Sequence, residues 1–278
     1  MAKSAILKSS LAKKYWMSFT GLFLCLFLSG HLAGNLQLIF SDALHFNQYA
    51  LFMTTNPAVK ILSYLTYISI VFHAIDGILL TVQNRKARPI GYAKTDGSSS
   101  SFSSRNMAVL GTLILVFIVT HMVNFWAVMH FDKKMPLQTI TVEQMGQKAE
   151  YFITTDTGKF FPADTLQLVQ SGLEIRNRTE FYNKAANVKM GEGYKDLHKI
   201  TVAFFKDAKT GLLATILYVI AMAVLSFHLL HGFQSAFQSV GLNNPNWTPK
   251  IKFFGTAFAI VVPLLFAIIP VYIHFFLK

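Results

Sequence analysis

The stretch Tyr15–Phe40, YWMSFTGLFLCLFLSGHLAGNLQLIF, holds no Asp, Glu, Lys or Arg. A helix needs about 20 apolar residues to cross the roughly 30 Å hydrocarbon layer of a bilayer, and this run exceeds that length. Lys3, Lys8, Lys13 and Lys14 precede it, as basic residues precede a secretory leader. The run is longer than a leader's apolar segment and has no clear small-residue cleavage site, so it reads as a retained first membrane helix. Four further blocks repeat the pattern: Ala58–Val82, Asn106–His130, Gly211–Phe237 and Ile251–Phe276. The expected fold class is an all-α membrane protein, with residues 1–278 forming one membrane domain of five transmembrane helices in a bundle.

Composition agrees. Of 278 residues, 53% are hydrophobic and 14% charged, against roughly a quarter charged in soluble domains. The net charge of +12 does not mark a nucleic-acid partner, because the cations flank apolar blocks or lie in one polar insert instead of forming a compact basic face. The single cysteine, Cys25, makes no intrachain disulfide. It also excludes covalent haem attachment through C-x-x-C-H and a four-cysteine iron–sulfur site. Cys25 reads as a small buried apolar residue.

The links set the orientation. The N-terminal tail and the Gln83–Arg105 loop carry Lys3, Lys8, Lys13, Lys14, Arg85, Lys86, Arg88, Lys94 and Arg105, and the Gln238–Lys250 loop adds Lys250 with Lys252 beyond it. The amphipathic connector Ser41–Pro57 has Lys60 at its edge, and the C-terminus has Lys278. The positive-inside rule then puts the N-terminus in the cytoplasm and the C-terminus outside. Residues 131–206, between the third and fourth helices, form a long polar insert expected on the extracytoplasmic side. Its end, Tyr194–Phe205, is amphipathic and suited to lie along the interface. Asn56–Pro57 reads as a turn and helix start.

Among nine histidines, His31, His73, His121 and His228 each sit inside a different apolar block. A helix-to-helix hydrogen bond explains one ionisable residue at that depth; one in each of four consecutive helices points to a shared task. Successive helices alternate in direction, so position converts to depth at 1.5 Å per residue. His31 and His121 fall in the outer half, His73 and His228 in the inner half, with the two levels about 8–12 Å apart. Two imidazoles from opposing helices can ligate one haem iron from both faces, whereas zinc or copper wants three or four ligands at one depth. The expectation is two non-covalent b-type haems. His231 lies three residues after His228 on the same helical face, and the pattern does not choose between them. His45, His130, His198 and His274 lie near helix ends or in loops. Gly30, Gly34, Gly77, Gly111 and Gly232 leave room for a flat macrocycle or for close helix packing. Asp76, one turn after His73, is placed to accept an imidazole N–H bond, to pair with Arg105 or to snorkel to the inner edge. Ser18 and Arg105, at the inner ends of helices one and three, are candidate contacts for haem propionates.

At this point the chain resembles a known family. Gly21-Leu22-Phe23-Leu24 running to Gly30-His31-Leu32, Phe46-Asn47, Phe72-His73-Ala74, Ser104-Arg105-Asn106-Met107 leading to Thr120-His121, and Phe227-His228-Leu229-Leu230-His231-Gly232-Phe233 are similar to the cytochrome b membrane anchors of succinate:quinone oxidoreductases and fumarate reductases, of the five-helix, two-haem, single-anchor type. The resemblance covers all five helices. It implies His31 with His121 as ligands of the outer haem and His73 with His228 as ligands of the inner one, His228 being preferred to His231 as the first position of its motif. It implies a flavoprotein subunit and an iron–sulfur subunit on the cytoplasmic face of a bacterial membrane, carrying the succinate/fumarate chemistry. This chain would pass electrons between the iron–sulfur subunit and a quinone, with menaquinone suggested by the two-haem type. The 131–206 insert is a departure from shorter family members. A family quinone site is expected near the outer haem, and no quinone-facing acid matches there. The candidate lining is Gln37, His45, Asn47, Asn124 and His130, in which His45 and His130 offer imidazoles for proton exchange.

Two other readings keep the same helices. One is a b-type anchor for another respiratory dehydrogenase, which would differ in its soluble partners. The other is a transporter relaying protons through histidines, which would be colourless. The orientation is tested by a cysteine introduced at Ser100: it should be shielded from an impermeant thiol reagent in intact cells, and ready labelling would reverse the topology.

Overall fold

The computed structural model describes residues 10–87, 90, 101–144, 146–156 and 158–277; Lys3, Lys8, Arg88, Lys94, Ser98, Ser99, Ser100 and Lys278 lie outside the described residues. The chain is mostly helical. Five helices are long and apolar enough to cross a membrane: Leu11–Phe40, Pro57–Ala87, Met107–Phe131, Gly211–Ser239 and Thr248–Phe275. Leu26, Leu62, Val116, Ile220 and Val261, one from each, are exposed. Large apolar side chains turned outward on every span belong against lipid, because a water-facing surface of that extent would associate. The chain is a multi-pass membrane protein.

The first span is α1 (Ser10–Asn35) continued, after a break at Leu36, by the single turn α2 (Gln37–Phe40). The connector is itself helical, α3 (Ala43–Thr55), because Asp42 caps it by accepting from the His45 backbone N–H at 2.8 Å and so fills an orphan donor of its first turn. Asn56 does the same for α4 (Pro57–Ala87), accepting from Ala58 at 2.9 Å, with Pro57 at the first helical position, where a missing N–H is free of cost. The third span comprises α5 (Phe102–Arg105), α6 (Met107–His121), a π-helical turn at Met122–Ala127 and α7 (Val128–Phe131). After the insert come α9 (Leu197–Lys206), α10 (Gly211–Ser239) and α11 (Thr248–Phe275). Helix α10 packs along α11 and also against α1 and α6, while α1 packs against α4. Pro263 and Pro270 lie buried within α11, a placement that membrane helices tolerate when neighbours re-satisfy the freed carbonyls.

The membrane-spanning part is all helical, as expected, and strands occur in the region between the third and fourth spans. That region holds two three-stranded antiparallel sheets: β1 (Thr139–Gln144), β2 (Gln147–Ile153) and β3 (Phe160–Pro162), then β4 (Leu173–Arg176), β5 (Glu180–Asn183) and β6 (Val188–Glu192). The short helix α8 (Thr165–Gln170) lies between the sheets in sequence. The physical reason is visible in segments such as Thr139-Ile140-Thr141-Val142, which are β-branched and alternate in polarity. Leu137, Leu168, Leu173 and the fully buried Phe181 form a core of their own with Phe152, Phe161 and Met190.

This β unit is fastened to the bundle by polar contacts. Asn47 on α3 donates to Gln138 Oε1 at 2.5 Å and to Asp196 Oδ1 at 2.8 Å, and its Oδ1 accepts from the His198 backbone N–H at 3.0 Å. All three side chains are buried. Asp196 also caps α9 through the Lys199 N–H at 3.0 Å. In the β4–β5 turn, Asn177 and Arg178 have φ of 50° and 72°, a left-handed pair for which Asn-Gly is the favoured sequence. Arg178 takes the strained position and its Nη1 donates to the carbonyl of His130 at 2.7 Å. Lys195 Nζ donates to the Met129 carbonyl at 2.9 Å. Both cations thus meet the unpaired carbonyls and negative dipole end of the third span. Burial, with the neighbouring Arg178 charge, pushes the Lys195 ammonium below its ordinary range, and Glu192 opposes that shift.

The end of the fifth span comes to the same side. His274 Nδ1 pairs with the Phe205 carbonyl at 2.7 Å, and Lys206 Nζ donates to the Leu277 carbonyl. Gly211 opens α10 where an added Cβ would stand 2.3 Å from the Phe205 carbonyl oxygen, so the tight α9–α10 corner requires glycine. The amphipathic segment expected at Tyr194–Phe205 is α9, beginning at Leu197. Replacing Asn47 by Ala leaves Gln138 Oε1 without its donor and the Asp196 carboxyl with one donor fewer, both in a buried place, at a cost of about 1–3 kcal/mol. The expected result is a lower thermal midpoint and faster proteolysis within residues 132–196; an unchanged cleavage rate would show that the node does not hold the insert.

Candidate functional site: paired histidines in the bundle

Imidazoles are costly in hydrocarbon unless their ring nitrogens find partners. The fold brings the four deep histidines together two by two. The rings of His31 on α1 and His121 at the end of α6 lie 5.9 Å apart between centroids, with planes at 84°. Those of His73 on α4 and His228 on α10 lie 6.3 Å apart, with planes at 66°. It is His228, not His231, whose ring faces His73. Among the described residues, no three of His, Cys, Asp and Glu gather as a multidentate metal site would require.

Three contacts fix the spacing of the two levels. Gly21 on α1 is the residue against the His73 ring, Gly111 on α6 is against the His228 ring, and Tyr218 on α10 reaches His121. Gly21 and His31 are ten residues apart, as are Gly111 and His121, and Tyr218 and His228, so the levels are separated by about 15 Å along the helix axes. That exceeds the 8–12 Å expected from block midpoints, which mark a common depth only to within a few residues, each worth about 1.5 Å.

A Cβ on Gly21 would stand 3.2 Å from His73 Cε1, and one on Gly111 would stand 3.7 Å from His228 Cε1. These two glycines seat the inner pair. Gly34 instead admits the Tyr49 ring, since a Cβ there would be 2.7 Å from Tyr49 Cε1, and Gly30 has open space around it. The outer pair sits among aromatics: Phe27 and Phe266 beside His31, and Phe117, Phe125 and Tyr218 beside His121.

The ring nitrogens are partnered unequally. His73 Nδ1 lies 3.2 Å from Thr20 Oγ1, and His121 Nδ1 lies 3.4 Å from Tyr218 Oη. His31 has Asn35 Nδ2 near both ring nitrogens, but the closer bond of that amide, 2.8 Å, goes to the His31 carbonyl. His228 Nδ1 is buried with no hydrogen-bond partner. Thr20 and Tyr218 were not singled out in the sequence. A threonine six residues after Lys14 and a tyrosine in an apolar run carry no signal of their own, and only the packing joins them to histidines.

The remaining candidates divide. Ser18 is buried and its Oγ donates to the Lys14 carbonyl at 2.8 Å. Asp76 is buried with Oδ2 unpartnered, within electrostatic reach of Lys13 and His73. Arg105 ends the short helix α5. No hydrogen bond or ring contact joins any two of the five quinone candidates, all of them among the described residues. Asn47 is committed to the insert node, with both amide hydrogens and its oxygen engaged. Asn124 lies near the Tyr218 hydroxyl. His130 stacks on Trp126 at 4.6 Å and its Nδ1 pairs with the Trp126 carbonyl at 2.8 Å. His45 is exposed on α3, and Gln37 Oε1 is buried without a partner.

Whether the pairs fit haem follows from bond lengths. Iron–imidazole bonds of about 2 Å, with each ring centroid roughly 1.1 Å behind its nitrogen, put the centroids of two axial ligands about 6 Å apart. The observed 5.9 and 6.3 Å fit a bis-histidine haem at each level. No protein-family model matches the chain, and no curated protein or solved structure matches it either.

Proposed function

We propose that this chain is the di-haem cytochrome b anchor of a succinate:quinone oxidoreductase, moving electrons between an iron–sulfur partner and a membrane quinone. The observation that supports it is the arrangement of four imidazoles from four spans as two pairs at two levels, each with the centroid spacing of axial ligands. In this reading His31 and His121 hold one haem, and His73 and His228 hold the other. Each bound haem supplies a one-electron carrier with no covalent attachment.

The chain's own residues supply the rest of the site. The imidazoles set the position of each carrier within the bilayer, and Gly21 and Gly111 leave the inner rings room against α1 and α6. The phenyl rings around His31 and His121 exclude water from the outer pair. In this proposal the lysine- and arginine-rich side, with Ser18, Arg105 and the Gln238–Lys250 loop, faces the cytoplasm, where the flavoprotein and iron–sulfur subunits dock. The β insert lies on the other face, and a quinone, menaquinone by resemblance, reacts at the outer level. Gln37, with a buried unpartnered oxygen, is the quinone candidate that the contacts leave available.

Acid acetone should release about two haems per chain from the purified protein. His73→Ala and His228→Ala should remove the same optical component, and His31→Ala and His121→Ala the other, while His231→Ala keeps both. The complex isolated from native membranes should carry flavin and reduce quinone with succinate. A colourless protein would overturn the haem assignment; two haems without succinate-linked turnover would move the chain to the anchor of a different dehydrogenase.

A further inference from the structure

Two hydroxyls reach the histidine pairs from neighbouring spans, one at each level. At the inner level the partner is Thr20 on α1. Its Oγ1 lies 2.9 Å from the Trp16 carbonyl and 3.1 Å from the Met17 carbonyl, the back-bond common for threonine inside a helix. A hydroxyl has one proton. With that proton directed to the carbonyls of its own helix, the oxygen can only accept on the side of His73 Nδ1, 3.2 Å away. His73 therefore carries its hydrogen on Nδ1. The lone pair of the ring is left on Nε2, and Gly21, next to Thr20, lets the ring lie close against α1.

At the outer level the partner is Tyr218 on α10. Its ring is wedged among Phe117, Phe205 and Phe204, at centroid distances of 4.9, 5.0 and 5.9 Å, so the phenol oxygen has a fixed place. Asn124 stands near that oxygen on the π-helical turn that directly follows His121, and His121 Nδ1 lies 3.4 Å from it. A π turn re-aims the side chains that follow it, and this one carries Asn124. The other member of each pair has no such acceptor: His228 Nδ1 is unpartnered, and His31 meets the amide nitrogen of Asn35.

We infer that Thr20 and Tyr218 are positioning residues: Thr20 keeps the hydrogen of His73 on Nδ1 and so presents Nε2 to the iron, and the phenol oxygen of Tyr218 accepts from His121 Nδ1 when Nε2 of that ring is the ligand. The inference rests on the haem reading above. An acceptor on the distal nitrogen orients the ring and raises its basicity as a ligand, which favours the oxidised iron. Each pair then has one ligand held by a neighbouring helix and one free to adjust.

The test is a redox titration with low-temperature EPR on the purified complex, comparing the parent with Thr20→Val, Thr20→Ser and Tyr218→Phe. Thr20→Val keeps the shape and removes the acceptor. It should raise the midpoint potential of the inner haem and move its low-spin EPR signal, leaving the outer haem at its parent values, and Thr20→Ser should restore both. Tyr218→Phe should do the same to the outer haem alone. If Thr20→Val loses the inner haem and Thr20→Ser retains it, the positioning role stands; loss in both variants overturns it. Both haems present at parent potentials and with parent EPR signals in Thr20→Val and Tyr218→Phe also overturns the inference while leaving the haem reading intact. A parent protein without haem absorbance overturns both.

Discussion

A polar group in hydrocarbon must find its partner inside the protein, and that one requirement organises this molecule. It makes the backbone helical across all five spans, because only helices close their own hydrogen bonds there. It also makes four deep imidazoles conspicuous. The bundle answers by drawing them into pairs from non-consecutive spans, α1 with α6 and α4 with α10, and by bringing a hydroxyl to one member of each pair. The two levels then repeat one design at about 15 Å separation along the helix axes.

The same requirement shapes the face that carries the β insert. Helix ends leave carbonyls unpaired, and the insert meets the end of the third span with Arg178 and Lys195. Arg178 occupies a left-handed turn position where glycine is easier, so the backbone gives up some comfort to hold that guanidinium in place. The Asn47–Gln138–Asp196 node adds a buried polar joint between α3 and the insert. Three attachments at separate points oppose rotation of the β unit on the bundle. His121 and Asn124 lie on the same third span, before the end that Arg178 caps, and face Tyr218 of α10.

Much of the architecture was legible because long apolar blocks have one stable solution in a membrane. The five spans and their order followed from block length alone, and Asn56–Pro57 was readable as a helix start because both residues act locally. The insert was harder. Its polarity excluded a span, but its strands are short and pair through turns without strong Asn-Gly signals, so its β character became plain only when the strands were paired. The connector 41–57 was likewise expected as a link and is a capped helix. The depth estimate fell short because the midpoint of an apolar block marks a common depth only to within a few residues, each worth about 1.5 Å.

The sequence by itself determined that the chain crosses a membrane about five times and that four histidines are carried deep into it, since both follow from the cost of exposing apolar residues to water and imidazoles to lipid. Tertiary structure alone decided which polar residues are spent on the fold and which remain for chemistry. Asn47 and His130 looked equivalent as polar residues near one side of the bundle, yet Asn47 is held by Gln138 and Asp196, distant in sequence, and His130 by a carbonyl one turn away. Thr20 and Tyr218 looked unremarkable, yet each stands against an imidazole. His228 faces its partner and His231, on the same helical face, does not. Helical periodicity places a residue to within a face; the rotation of one helix against another, set by side-chain packing, determines which atom on that face meets which.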